Sequence, residues 1–188
     1  MLVLNVGSGG GRDLPAIYRG WGQHTLDIDE ACKPDIVCDA KLLRTRAAAK
    51  YDAIFCSHNL EHFYKHEVPA VLGGFLHVLK PSGFANISVP DMNALFAVIQ
   101  GRDIDETWYK TGCGKISFHD VIYGWGEQVA KGNAYYAHKT GFTEKSLGKA
   151  LRAAHFARVF TATDGAGNLH AFAFKSKPSS DKLRKLGL

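Results

Sequence analysis

Short apolar runs rich in Val, Ile and Phe recur along the chain at residues 2–6, 24–28, 35–38, 52–57, 84–89, 157–163 and 169–175, and helical patterns fall between them. This alternation constrains the fold more than any other feature. A run that is apolar throughout is a stable strand only when both of its faces are covered, and strands separated by helices achieve this as one mostly parallel sheet between helical layers. The clearest helix follows the fourth run. There Val68, Val71, Leu72, Phe75, Leu76 and Leu79 form a single apolar stripe, which Lys80-Pro81-Ser82-Gly83 is expected to stop. Thr143 is placed to cap a second helix, with Leu147, Ala150, Leu151 and Ala154 on one face. Between Asp13 and Gly20 there is room for about two helical turns, with Pro15 in the first.

A chain of 188 residues corresponds to one domain, expected here over residues 1–176. With 46% hydrophobic and 22% charged residues, a disordered, collagen-like or coiled-coil chain is excluded. No apolar run approaches the roughly 18 residues of a membrane span, and residues 1–5 lack the basic segment of a secretory signal. A soluble, cytoplasmic protein is the expectation. The formal charge of +5 is partly concentrated over residues 175–185; it suits an anionic small molecule and is too diffuse to require nucleic acid. Cys32, Cys38, Cys56 and Cys113 form no C-x-x-C pair and read as reduced thiols. Monomer and dimer both remain open.

Residues 101–142 break the alternation. They carry aromatic clusters, glycines, His119 and His138 with weak periodicity, and an irregular segment of that length in a compact domain reads as a lid or substrate-binding insertion. Residues 177–188 are polar and basic and read as a loosely held tail.

The run Val3-Leu4-Asn5-Val6-Gly7-Ser8-Gly9-Gly10-Gly11 is a strand that enters a glycine loop. Missing side chains at such a turn let a ligand lie against the backbone. The dinucleotide fingerprint G-x-G-x-x-G requires glycine where Arg12 stands, whereas G-x-G-x-G is met by Gly7, Gly9 and Gly11. That spacing favours S-adenosylmethionine over NAD. Asp27 ends the second run, where a carboxylate can accept from both hydroxyls of a ribose, and Asp39 ends the third, where it can accept from an adenine amino group. A solvated turn acid is the plain alternative for Asp27.

Together with Ser57-His58-Asn59-Leu60-Glu61-His62 after the fourth run and Leu79-Lys80-Pro81-Ser82-Gly83 before the fifth, these motifs resemble the class I S-adenosylmethionine-dependent methyltransferases over residues 2–100. Residues 143–175 fit the end of that family. Ile116-Ser117-Phe118-His119-Asp120 and 138–143 are similar to a small, type 11-like bacterial group within it. The resemblance implies a Rossmann-like three-layer α/β/α sandwich with a seven-stranded, mostly parallel sheet whose last strand is antiparallel. It implies S-adenosylmethionine as cofactor, held by Asn5, Gly7, Ser8, Gly9, Gly11, Asp27, Ile28, Asp39, Ala40, Ser57, His58 and Glu61. Asn5 stands where the family has an acid, so the contact to the methionine amino group is weaker or supplied otherwise. The family's helix ahead of the first strand is missing, so substrate cover comes from elsewhere or the chain is truncated.

His58-Asn59-Leu60-Glu61-His62 also matches the H-x-x-E-H of zinc hydrolases. Because it directly follows a strand, hydrolysis is set aside. A metal here is the minor reading; the expectation is no metal, with Glu61 and His62 buttressing the turn through hydrogen bonds. An alcohol acceptor benefits from a general base, for which imidazole is suited near neutral pH. His119, His138 and Tyr123 in the insertion are the catalytic candidates, each with a packing role as its alternative. The expected function is methyl transfer to an oxygen or nitrogen of a small molecule or glycan precursor. A NAD-dependent oxidoreductase and a catalytically lapsed cofactor-binding protein are the alternatives.

Overall fold

The computed structural model describes residues 1–111 and 114–188, so Cys113 lies outside the described residues. The main sheet begins with β1 (Leu2–Val6), β2 (Gly22–Asp27), β3 (Ile36–Val37), β4 (Tyr51–Ser57) and β5 (Leu79–Pro90). A separate hairpin of β6 (Thr107–Thr111) and β7 (Gly114–Ser117) follows, and β8 (Arg158–Thr163) and β9 (Asn168–Phe174) complete the sheet in the order β3-β2-β1-β4-β5-β9-β8. Strand β9 runs antiparallel to both β5 and β8, while the other neighbours are parallel. This is the Rossmann-like order expected from the sequence, with the last strand reversed. The helices are α1 (Val68–Val78), α2 (Met92–Val98), α3 (Phe118–Tyr123), α4 (Gly126–Ala130), α5 (Glu144–Ala153) and α6 (Ser180–Leu186).

One face of the sheet is covered by α1, α5 and a 3-10 segment, Ala40–Thr45. Leu72 and Phe75 of α1 and Leu147 and Leu151 of α5 are fully buried against Leu4, Ile54 and Ile87. At the start of α5, Thr143 Oγ1 accepts from the Ser146 amide at 3.2 Å and Ser146 Oγ accepts from the Thr143 amide at 2.9 Å. This reciprocal cap satisfies two helix-end donors and stabilises the helix by about 1 kcal/mol. Helix α1 ends one residue earlier than its apolar stripe. Leu79 is extended, pairs with Tyr51 and opens β5, and the register shifts between Tyr51 and Ala53, where residues 80–83 of β5 bulge from the ladder.

The opposite face is built largely from rings. Tyr18, Trp21, Phe55, Phe84, Phe172 and Phe174 pack there, with Tyr18 stacked on Phe84 at 6.3 Å and edge-on to Trp21 at 5.3 Å. The two turns of helix expected over 13–20 shrink to one 3-10 turn, Ala16–Tyr18. Pro15 is extended at its start and Gly20 takes a positive φ just after it, which leaves no length for an α-helix. Residues 177–188, expected as a loose tail, carry α6, whose Leu183 and Leu186 pack on this face. Lys182 lies 5.1 Å from the Phe84 ring and donates to the Ser82 carbonyl.

The insertion is not structureless. Beside the β6–β7 hairpin, Leu95 of α2 and Phe118 and Val121 of α3 are buried together under Ile104, Trp108, Tyr109 and Ile116, a small core of its own. Ser117 caps α3 by accepting from the Asp120 amide at 3.1 Å, and Asp120 accepts in return from the Ser117 amide at 3.0 Å. Among the described residues no helix is long and apolar enough to cross a membrane.

Asp35, just before β3, ties the glycine loop to the sheet. It accepts from Arg12 Nη2 at 2.7 Å, from the Thr25 amide at 2.8 Å and from Thr25 Oγ1 at 3.0 Å. The Arg12 guanidinium first, and then the two Thr25 donors, hold its carboxyl well below the usual carboxylate range. A carboxyl lowered on folding stabilises the fold above its unfolded value near 4, and that contribution is lost as pH falls through the folded value. The thermal midpoint is therefore expected to begin dropping below about pH 5 and to go on dropping as pH falls towards the folded value, and to drop less steeply in Asp35→Asn. Equal acid slopes in the two proteins would assign the acid sensitivity to other groups.

Candidate active site

The loop after β1 is shaped by the end of β2. The Gly7 amide donates to the Leu26 carbonyl at 2.8 Å, and the Gly9 amide donates to Asp27 Oδ2, also at 2.8 Å. Asp27 Oδ1 accepts from the Asp29 amide at 3.0 Å. Asp27 is only 8% exposed, so it is not a solvated turn acid. Gly7 has φ +71°, and a Cβ there would lie 2.2 Å from the Asn59 side chain. Gly9 has φ +55°, and nothing lies within 4 Å of the point where a Cβ would stand, so its space is open to a ligand.

A cavity of about 410 Å³ opens at the C-terminal ends of β1, β2 and β3, the place where open α/β sheets take ligands. Gly7, Asp27 and Ile28 line one part of it, Asp39 and Ala40 another, and His62, Tyr64 and Tyr135 the remainder. A smaller recess of about 80 Å³ adjoins it and adds Gly9, His58 and Tyr136. Asp39 accepts from the Lys41 amide at 2.9 Å, which caps the 3-10 segment, and Lys41 Nζ lies 2.6 Å from Glu67. The Glu67 hydrogen bond raises the Lys41 ammonium above its ordinary value, with Asp39 adding to the effect. The roof comes from the insertion: Tyr135 and Lys139 face the cavity, and Lys139 Nζ sits 5.4 Å from the Tyr64 ring.

Beside the cavity lies a cluster of three histidines around one acid. Glu61 is 1% exposed, and neither of its carboxylate oxygens has a hydrogen-bond partner. His58 Nδ1 is 3.5 Å from Glu61 Oε1, and His138 Nε2 is 4.0 Å from the same atom. The His62 and His138 rings are 4.8 Å apart. Nδ1 of His62 contacts the Ala137 carbonyl at 3.1 Å, and Nδ1 of His138 contacts the Val121 carbonyl at 2.9 Å. A carbonyl only accepts, so each Nδ1 carries the proton and each Nε2 keeps a lone pair when the ring is neutral. Burial pushes the Glu61 carboxyl up, but the surrounding histidines outweigh it and hold the group below its ordinary value. Burial likewise lowers His138, against the pull of Glu61. For His58 the balance reverses, and Glu61 raises it despite burial.

The sequence-predicted residues divide. Gly7, Asp27, Ile28, Asp39 and Ala40 line the main cavity, and Gly9 and His58 the recess. Asn5 is buried behind the loop, where its Nδ2 reaches the Gly11 carbonyl at 3.4 Å. Ser8 Oγ is buried without a partner, Gly11 closes the loop by donating to the Ser8 carbonyl, and Ser57 pairs with Ser88 across β4 and β5. Glu61 does not buttress its turn through its carboxylate. Its peptide carbonyl does so, accepting from the Lys139 and Thr140 amides at 2.9 and 3.2 Å. Of the catalytic candidates, His138 joins the cluster, whereas His119 and Tyr123 stack on each other at 4.9 Å and line neither the cavity nor the recess. Tyr123 is 55% exposed. Asn59, Lys41, Tyr135 and Tyr136 were missed as site residues; the two tyrosines carried a signal as paired aromatics within the insertion.

No protein-family model matches the chain, and no curated protein sequence matches it. Solved structures do. An S-adenosylmethionine-dependent methyltransferase from Archaeoglobus fulgidus superposes with TM-score 0.61 at 16% identity, covering 92% of this chain and 85% of that one. The 1,6-didemethyltoxoflavin-N1-methyltransferase of Burkholderia thailandensis, with bound 1,6-didemethyltoxoflavin and S-adenosylhomocysteine, gives 0.57 at 20%, covering 94% and 71%. An O-methyltransferase family protein from the same organism gives 0.62 at 14%, covering 95% of this chain and 52% of its own. At these identities the likeness speaks for architecture, and the architecture of this chain is the class I fold of S-adenosylmethionine-dependent methyltransferases.

Proposed function

We propose that the chain is an S-adenosylmethionine-dependent methyltransferase acting on an oxygen or nitrogen of a small molecule or sugar-containing precursor. The observation that carries this reading is the convergence of the glycine loop, Asp27 and Asp39 on one roofed cavity at adjacent strand ends. Its volume, about 410 Å³, falls within the usual range for a small-molecule site. The residues fit the cofactor: Asp27 is a buried acid whose oxygens each accept one amide and retain capacity for a ribose hydroxyl. Asp39 is set to accept from an adenine amino group, and Gly9 offers bare backbone. The bound S-adenosylhomocysteine of the Burkholderia toxoflavin enzyme, which shares the fold, supports the same choice of cofactor.

Bound there, S-adenosylmethionine supplies a methyl group on a positively charged sulfur, open to in-line attack by an acceptor lone pair. Tyr135 and Tyr136 restrict water over the cavity and orient the acceptor. His58, half-exposed in the recess and made more basic by Glu61, takes the proton that the acceptor releases. His138 acts from beneath, through the Glu61 cluster. His119 and Tyr123 contact each other on α3, away from the cavity, and are given no chemical role.

The nicotinamide alternative has less to support it, because Arg12 occupies the position of the fingerprint's last glycine and is engaged by Asp35. Calorimetry is expected to register S-adenosylmethionine binding and none with NAD; the reverse would overturn the assignment. Asp27→Ala should weaken cofactor binding by about 1.5–3 kcal/mol for each charge-assisted bond lost.

Gly9 gives a cleaner test than Gly7, where any side chain would strike Asn59 and disturb the fold itself. Gly9→Val is expected to abolish cofactor binding while circular dichroism remains that of the folded protein, apart from a cost of about 1–2 kcal/mol for its positive φ. Unchanged binding would move the site away from this loop. Methyl release from labelled cofactor, screened across alcohol and amine acceptors, separates an active enzyme from a lapsed binding protein.

A further inference from the structure

We propose that Glu61, His62 and His138 form a binding site for a divalent first-row transition-metal ion of the zinc type, set beside the cavity. One donor atom from each of the three residues lies within 4.8 Å of the other two. An edge of a tetrahedral zinc site with bonds near 2.0–2.1 Å is roughly 3.3 Å, so small side-chain rotations close the triangle.

Three independent features point to a cation rather than to an ordinary polar cluster. Glu61 is 1% exposed and neither carboxylate oxygen accepts a hydrogen bond; its nearest cationic partner, His58 Nδ1, stands 3.5 Å from Oε1, so further positive charge would lower the cost of burying the group. Both imidazoles are held by Nδ1 on peptide carbonyls, of Ala137 for His62 and Val121 for His138. That arrangement fixes the tautomer whose Nε2 bears a free lone pair and is the support that metal-binding histidines ordinarily have. Without a cation, the His138 Nε2 lone pair would face a Glu61 oxygen only 4.0 Å away.

The donor set selects the class of ion. Two imidazoles with one carboxylate suit zinc and its first-row neighbours, whereas magnesium and calcium take oxygen ligands. Three protein ligands leave a fourth position open, the pattern of a catalytic site rather than a structural one. His62 itself lines the cavity, so an ion held by these residues would lie beside the space open to ligands. Resting on the methyltransferase reading, the ion would bind the acceptor oxygen and make its proton easier to release. The proton then passes to His58 as the oxygen–carbon bond forms and the carbon–sulfur bond breaks.

The sequence expectation of no metal concerned the 58–62 motif alone, and the third ligand lies 76 positions beyond His62. His138 reaches the cluster only because the insertion folds back: the Lys139 amide donates to the Glu61 carbonyl at 2.9 Å, and the His138 amide to the Tyr123 carbonyl, also at 2.9 Å.

The test uses the full chain without an affinity tag, stripped by chelator and then titrated with Co²⁺ alone and with Zn²⁺ alone. One equivalent of Co²⁺ is expected to bind with visible d–d absorption of a low-coordinate site, and Zn²⁺ is expected to displace it and raise the thermal midpoint. Glu61→Gln and His138→Gln should each weaken binding by at least about tenfold and remove the absorption. Should Glu61→Gln fail to fold, His62→Gln provides the second variant. No stoichiometric binding, or binding that survives these substitutions, would overturn the site. S-adenosylmethionine calorimetry on the same stripped protein is read separately: cofactor binding without metal binding rejects the metal site alone, and metal binding without cofactor binding rejects the methyltransferase reading alone.

Discussion

The hydrogen bond from the Gly9 amide to the Asp27 carboxylate, 2.8 Å long, is the contact on which the cavity depends. It joins the loop after β1 to the end of β2, and the Gly7 amide on the Leu26 carbonyl repeats the connection one step earlier. Parallel pairing places Val6 opposite Leu26 on one side and Cys56 on the other, so the three loops that leave these strands emerge side by side. Gly7 then lets the Asn59 side chain fill the space where a Cβ would be. A single buried acid therefore shapes the floor while leaving its own remaining lone pairs toward the cavity. That double use explains why a carboxylate so close to solvent-accessible space is only 8% exposed.

The sheet is covered unevenly, and the unevenness has a physical cause. On the face of α1 and α5 the apolar stripes are long enough to be helices, and aliphatic side chains interdigitate there. On the other face the connection after β1 carries a single 3-10 turn, Ala16–Tyr18, in place of a helix. Rings fill the area that helices would otherwise cover. Aromatic side chains bury about 150–250 Å² each, which lets Tyr18, Trp21 and Phe84 take the place of several aliphatic residues. α6 completes the layer from the far end of the chain.

How much of this was legible depends on how local each signal is. The strands of the main sheet were readable because apolar runs and their glycine or proline boundaries are properties of a few adjacent residues, and β1 and the Thr143 cap stand where the sequence puts them. The motifs Gly7-Ser8-Gly9, Asp27 and Asp39 were readable for the same reason. α6 was obscured by its composition, since only Leu183 and Leu186 are apolar in a segment of Lys, Arg and Ser, and its helix is fixed by the rings it meets. The β6–β7 hairpin escaped notice because its faces are polar or half-buried, without the alternation that marks a strand. Glu61 was legible as a position and not as a state. That its carboxylate is buried and unpartnered follows from chain returning to it from the far side of the insertion.

The same return makes the insertion more than a cover. At its end, residues 137–140 are bound to the 61–62 turn by backbone hydrogen bonds, and the Ala137 carbonyl orients His62. At its middle, the Val121 carbonyl orients His138, and Val121 is itself fixed in the small core with Leu95 and Phe118. The roof residues Tyr135 and Tyr136 lie between these two anchors, in a 3-10 turn with no buried side chain. Displacement of that 3-10 turn alone would leave the histidine cluster and the small core in place. A larger motion that lifted the whole insertion would break the Lys139 and Thr140 bonds to Glu61 and carry His138 away from it. The cover of the cavity and the integrity of the cluster are thus separable by position within one segment.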